Sequence, residues 1–168
     1  MVLTKSEVIA AFQNEARILN HLTGKIDRAK LDYRPGPKQR STADLVKYLS
    51  MMGPSLVEVA LKGAFERSAW SKAEQNAAAQ TFDQALAAIA SHGPTYERLL
   101  SDVPDLRFRD EVEIFGNRTP RGAFLVNLAF GHCAAYRTQL FVYLKASGRE
   151  ELGTSNLWFG ADPAPPSA

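Results

Sequence analysis

The chain has 168 residues, 20 of them Lys or Arg and 18 Asp or Glu, for a net charge of +2. That length suits one domain able to bury roughly 70% of its unfolded surface without a disulfide or metal staple. The apolar fraction of 45% and charged fraction of 23% exclude a disordered or fibrous chain, and the near-balance of charge excludes an obligate nucleic-acid binder.

Helical periodicity then runs through most of the chain. Thr4-Lys5-Ser6-Glu7 fits a capping box, Val8, Phe12, Ile18, Leu19 and Leu22 mark one face, and Gly24 is a stop, so the first helix is placed near 5–22. From Lys25 to Arg40 the periodicity vanishes around Pro35, Gly36 and Pro37, which marks a long crossover. Ser41 to Asp44 opens a second helix near 41–62, whose stripe of Leu45, Tyr48, Leu49, Met52, Leu56 and Val59 stays in phase across Gly53-Pro54 and so predicts a kink. Ser71-Lys72-Ala73-Glu74 suggests a third capping box and a helix over 72–102, with Gly93-Pro94 either kinking or breaking it. Residues alternate from Leu106 to Phe115, the one strand-like signal, and Gly116-Asn117 follows. Thr119-Pro120 opens a last helix over 120–147, with Gly148 at its left-handed cap. Four amphipathic helices and one long crossover predict an all-α four-helix bundle over 1–160, with Leu157, Trp158 and Phe159 docked on it and 161–168 flexible.

The last helix carries the informative pattern. Tyr136, Gln139 and Tyr143 follow His132 at i+4, i+7 and i+11, on one stripe with Leu125 and Leu128. Phe124, Val126, Phe130, Phe141 and Leu144 surround the other faces. A helix apolar nearly all round calls for more cover than its own neighbours supply, and a homodimer is the economical expectation. Together with Leu31-Asp32-Tyr33-Arg34-Pro35, the run Arg40 to Leu49, His132 to Leu140, Tyr143-Leu144, Gly148 and Asn156-Leu157-Trp158, this pattern resembles the DinB-like family of bacterial four-helix bundles.

That resemblance implies a divalent metal held by three histidines, in the places of Tyr48, His132 and Tyr136, and metal-dependent hydrolysis or thiol S-transfer. Tyrosine stands at two of those three places. A neutral phenol, with a reference pKa near 10, is a poor zinc or nickel ligand at pH 7. One imidazole with two phenols suits only a hard ion such as ferric iron. The expectation is therefore no cofactor: a pocket retained and a metal lost, giving a non-catalytic or small-molecule-binding protein, with Gln139 and Tyr143 as further lining. The alternatives are an enzyme using a divalent metal or ferric iron at His132, or metal-free acid–base chemistry by Tyr48, His132 and Tyr136.

Other residues have plainer readings. His21 suits the dipole at the end of the first helix, and His92 precedes the Gly-Pro step. Cys133 reads as a small buried hydrophobe. The basic segment Lys25 to Arg40 reads as a solvated loop, without a nucleic-acid motif. Charge at Lys5 and Glu7 interrupts any signal-peptide core, and no stretch of about 18 uncharged apolar residues occurs, so a cytoplasmic chain off the membrane is expected.

Overall fold

The computed structural model describes residues 3–164. Helix α1 (Lys5–Thr23) starts on the expected capping box: the Thr4 hydroxyl accepts the Glu7 N–H while the Glu7 carboxylate takes the Thr4 N–H. Helix α2 (Thr42–Lys62) starts on the same device between Ser41 and Asp44. The crossover supplies more: the carbonyls of Tyr33 and Leu31 accept the N–H groups of Thr42 and Ala43 at 2.8 and 3.0 Å. Donors that a helix start would leave free are thereby used to fold the loop back. Helix α2 continues through Pro54.

The single helix expected over 72–102 is three. Helix α3 (Arg67–Ala79) begins four residues before Ser71, which lies inside it and caps nothing. Gln80 turns extended (φ −65°, ψ 150°), and Thr81 with Gln84 forms the real capping box for α4 (Phe82–Ala90). Helix α5 (His92–Leu100) follows at once, with Pro94 in its first turn, where a missing N–H costs nothing. The second Gly-Pro step therefore breaks a helix and the first does not.

Downstream, Leu106 and Phe108 belong to a 3₁₀ turn (Asp105–Arg109), and the alternating pattern yields only β1 (Glu111–Ile114). It pairs antiparallel with β2 (Asn117–Pro120), in the register Ile114 opposite Asn117. Phe115 and Gly116, at φ 55° and 73°, form the two-residue turn, and the Phe115 ring rests on Phe65 at 4.8 Å. Thr119 and Pro120 thus end a strand and do not begin the helix. The last helix is α6 (Arg121–Phe124), a π segment (Leu125–Phe130) and α7 (Gly131–Ala146). At its end Gly148 (φ 112°) completes a Schellman cap, with Gly148 and Arg149 donating to the carbonyls of Lys145 and Leu144.

Helix α1 packs on α4, α5 and α7, while α2 packs on α3, α4 and α7, so α1, α2, the α4–α5 pair and the last helix form the bundle. Phe12, Leu22, Leu45, Leu49, Leu100 and Leu140 fill its core. Of the apolar residues around the last helix, Phe124 and Leu144 are buried within the chain, and Val126 and Val142 are exposed. No described helix is long and apolar enough to cross a membrane.

The C-terminal segment docks, but not by its rings. Trp158 and Phe159 are 59% and 66% exposed, contrary to the expectation that burial would draw them in. Polar groups hold the segment instead: Arg17 donates to the carbonyls of Phe159 and Gly160, and buried Asn156 bonds Gly153, His21 and Asp162. Asp162, expected to be flexible, also pairs with Lys25 at 2.7 Å; of the residues placed in the flexible tail, 165–168 lie outside the described residues.

Gly53 allows α2 its close approach to the bundle centre. A Cβ there would lie 2.2 Å from the Tyr96 hydroxyl and 3.0 Å from the Cys133 sulfur. Gly53→Ala is expected to cost roughly 1–3 kcal/mol in urea unfolding through overpacking. Tyr96→Phe, which deletes the nearest clashing atom, should return part of that loss in the double variant; unchanged loss would place the clash elsewhere.

Candidate functional site

Tyr48 lies in the second turn of α2, and His132 and Tyr136 lie one turn apart on α7. The structure brings the three together. The Tyr48 and Tyr136 rings meet at 5.1 Å between centroids, tilted by 48°, and the His132 ring stacks on Tyr136 at 6.4 Å. His132 Nδ1 is 2.9 Å from the Leu128 carbonyl of its own helix, so the neutral ring donates there and keeps its lone pair on Nε2. A π segment (Leu125–Phe130) directly precedes α7.

Arg40 completes the cluster and was not legible beforehand, because it sits in the loop just ahead of the α2 cap. Its guanidinium lies 4.0 Å above the Tyr48 ring, within cation–π range, and 3.9 Å from the Glu74 carboxylate. Gln139 and Tyr143 serve that placement: the Gln139 amide donates to the Tyr143 hydroxyl, which donates to the Arg40 carbonyl, each at 3.2 Å. Burial, reinforced by Tyr136, pushes the Tyr48 phenol far above its ordinary range, with Arg40 opposing. Tyr48 is thus a neutral hydrogen-bonding group at physiological pH. The donor set does not fit a divalent cation: it offers one imidazole, and a phenol harder to ionise than usual. Among the described residues, no three His, Cys, Asp or Glu side chains gather as a metal-holding group.

A second polar cluster lies in the bundle centre. Glu15 on α1 and Arg137 on α7, both buried, approach to 2.6 Å. His92 Nε2 is 3.0 Å from the Ser50 carbonyl, and the Tyr96 hydroxyl is 3.7 Å from the Cys133 sulfur. Burial pushes the Cys133 thiol up to about 12, so it is un-ionised and inert, as its reading as a buried hydrophobe requires. Glu15, His92, Tyr96 and Cys133 border a cavity of about 10 Å³, room for one water at most. Glu15 and Arg137 are far apart in sequence and each looks like a surface charge, so only their three-dimensional meeting reveals the pair.

His21 departs from its expected role. Burial, then Lys25, holds its pKa below the usual histidine value, and the Asn156 amide donates to its Nε2, so it is a neutral acceptor for the tail and not a helix-end cation.

No protein-family profile matches the chain. It is 25% identical over 151 residues to YjoA of Bacillus subtilis (strain 168), a protein described as uncharacterized, across 88% of this chain and 93% of that one. The crystal structure of YjoA, described as a DinB-like protein from Bacillus subtilis, superposes with a TM-score of 0.67 at 22% identity, over 87% of this chain and 94% of that one. The chain has the DinB-like fold.

Two measurements probe the central cluster. Glu15→Leu strands the Arg137 guanidinium and should cost roughly 3–5 kcal/mol, whereas Glu15→Leu with Arg137→Met should lose much less; equal losses would show that the two charges are not coupled. Burial also lowers the His92 pKa, so as pH falls below about 6.5 the unfolded chain takes up the proton first and stability declines. The urea midpoint should therefore drop between about pH 7.5 and 5.5, and His92→Gln should flatten that drop, leaving the part due to His21 and an opposing part from Glu15, whose pKa burial raises.

Proposed function

We propose that this DinB-like bundle works without the three-histidine metal centre that the family resemblance implies, as a cytoplasmic, non-catalytic or small-molecule-binding protein. The observation that carries the reading is the Tyr48–Tyr136 ring contact at 5.1 Å, with Arg40 stacked on its outer side. Phenols stand at two of the three positions where the resemblance implies imidazoles, and the Arg40 guanidinium lies on the Tyr48 ring. Such a set recognises a ligand by stacking and neutral hydrogen bonds. It does not ionise a water or polarise a carbonyl as a metal does.

One feature favours the second reading, an enzyme with an altered metal site. His132 is oriented through Nδ1 by the Leu128 carbonyl, the kind of support that metal-binding histidines use. One oriented imidazole is not a site, and the reading needs partners that Tyr48 and Tyr136 do not supply. The homodimer belongs to the same proposal, with exposed Val142 on the surface of the last helix left for a second copy.

Zinc titration of the natural chain, beside the Tyr48→His/Tyr136→His double variant, separates the readings. The natural chain is expected to show no stoichiometric zinc, and the double variant to gain it, weakened roughly 10–100-fold by missing outer support. Tight binding by the natural chain would establish the altered metal site instead. Binding by neither would show that the three positions cannot surround one ion.

A further inference from the structure

A roomier cavity lies elsewhere. A groove of about 510 Å³ runs between the start of α1, the 3₁₀ turn and the start of the last helix, and shares no lining residue with the Tyr48–His132–Tyr136 cluster. Leu3, Val8, Phe108, Pro120, Ala123 and Val126 form its walls over the fully buried Leu125. The volume and the apolar lining are those of a small-molecule site, not of a packing defect.

Charge at the rim narrows what it would take. Lys5, Asp105 and Arg109 are the charged residues that border the groove. Lys5 is already committed, donating to the carbonyls of Ser101 and Val103 at 2.6 and 3.0 Å and lying 3.7 Å from Asp105. Arg109 is exposed and, among the described residues, pairs with no carboxylate. A carbon-lined trough with one uncommitted guanidinium at its edge complements a slender apolar molecule ending in an acid. A flat protein face would not fill it. We infer that this groove binds an amphipathic carboxylate, an alkyl chain lying along Val8, Phe108 and Val126 with its carboxylate on Arg109. The inference is independent of the reading proposed for the tyrosine cluster.

Calorimetry of the full chain with octanoate, decanoate and octanol tests it. One saturable site is expected, with decanoate bound more tightly than octanoate by about fourfold for each added methylene. Loss of the acid in octanol, and Arg109→Gln with decanoate, should each weaken binding roughly 3–10-fold. Ala123→Phe, which fills the groove, should abolish it. If that variant does not fold, decanoate-induced amide shifts in the natural chain should centre on Leu3, Val8, Ala123 and Val126. No saturable binding, binding indifferent to Arg109→Gln, or shifts centred on Tyr48 and His132 would each overturn the inference. So would sedimentation showing a dimer that decanoate dissociates, because a second copy would then be the groove's occupant.

Discussion

The ion pair between Glu15 and Arg137 is the contact on which the bundle is organised. Both groups are buried, and taking two charges out of water costs several kcal/mol each unless every lone pair and proton is used. The 2.6 Å contact sets Arg137 Nε, on one edge of the guanidinium, against Glu15 Oε1 as an ion pair without hydrogen-bond geometry. The Leu157 carbonyl takes another, and the Trp158 ring lies 5.6 Å from its carbon. The tail is therefore fixed by a need for acceptors, which explains how it can dock while Trp158 and Phe159 stay in solvent. Trp158 lies within cation–π range of the buried guanidinium while most of its ring stays in solvent.

A second buried arginine does comparable work at the opposite end of the chain's path. Arg121, at the junction of β2 and α6, donates to the carbonyls of Ala60 and Leu61, which the end of α2 leaves without helical partners, and to that of Arg107. Gly63 (φ 79°) terminates α2, and the one Arg121 side chain covers the carbonyls left there while tying them to the turn before the hairpin. The walls of the 510 Å³ groove follow from that placement, since Pro120, Ala123 and Val126 come from the segment Arg121 anchors and Phe108 from the turn it bonds. The polar anchor lies outside the groove whose walls it ties to α2.

What could be read from the sequence divides along physical lines. The starts of α1 and α2 and the cap at Gly148 were legible because each depends on residues within one turn: a hydroxyl, a carboxylate three positions on, a glycine free to take positive φ. The division of 67–100 into three helices was not, because Ala77-Ala78-Ala79 favours helix right up to the break and the decisive box, Thr81 with Gln84, looks like any polar pair within a helix. The strand pattern was half-legible: Val112 and Ile114 do point inward, but the same alternation over Leu106 and Phe108 is accidental to a 3₁₀ turn. At the site, the i, i+4 spacing put His132 and Tyr136 together, and the resemblance supplied Tyr48. Arg40, Glu15 and the groove were out of reach because they arise from contacts between segments distant along the chain.

A pair of phenol rings joins two helices differently from a shared metal ion. A metal joins α2 and α7 through coordination bonds and demands deprotonated or neutral donors aimed at one point. Two tyrosine rings in tilted contact join them by dispersion and quadrupole alignment, about 0.5–1.5 kcal/mol beyond the area they bury, and tolerate a spread of angles. The rings also leave the cluster electrically neutral, since burial suppresses ionisation of Tyr48, and that neutrality lets Arg40 lie on the ring face with only half-exposed Glu74 as its counter-ion. A divalent cation bound beside Arg40 would meet like charge. The guanidinium above Tyr48 and the un-ionised Tyr48 phenol weigh in the same direction, against a cation held at this position.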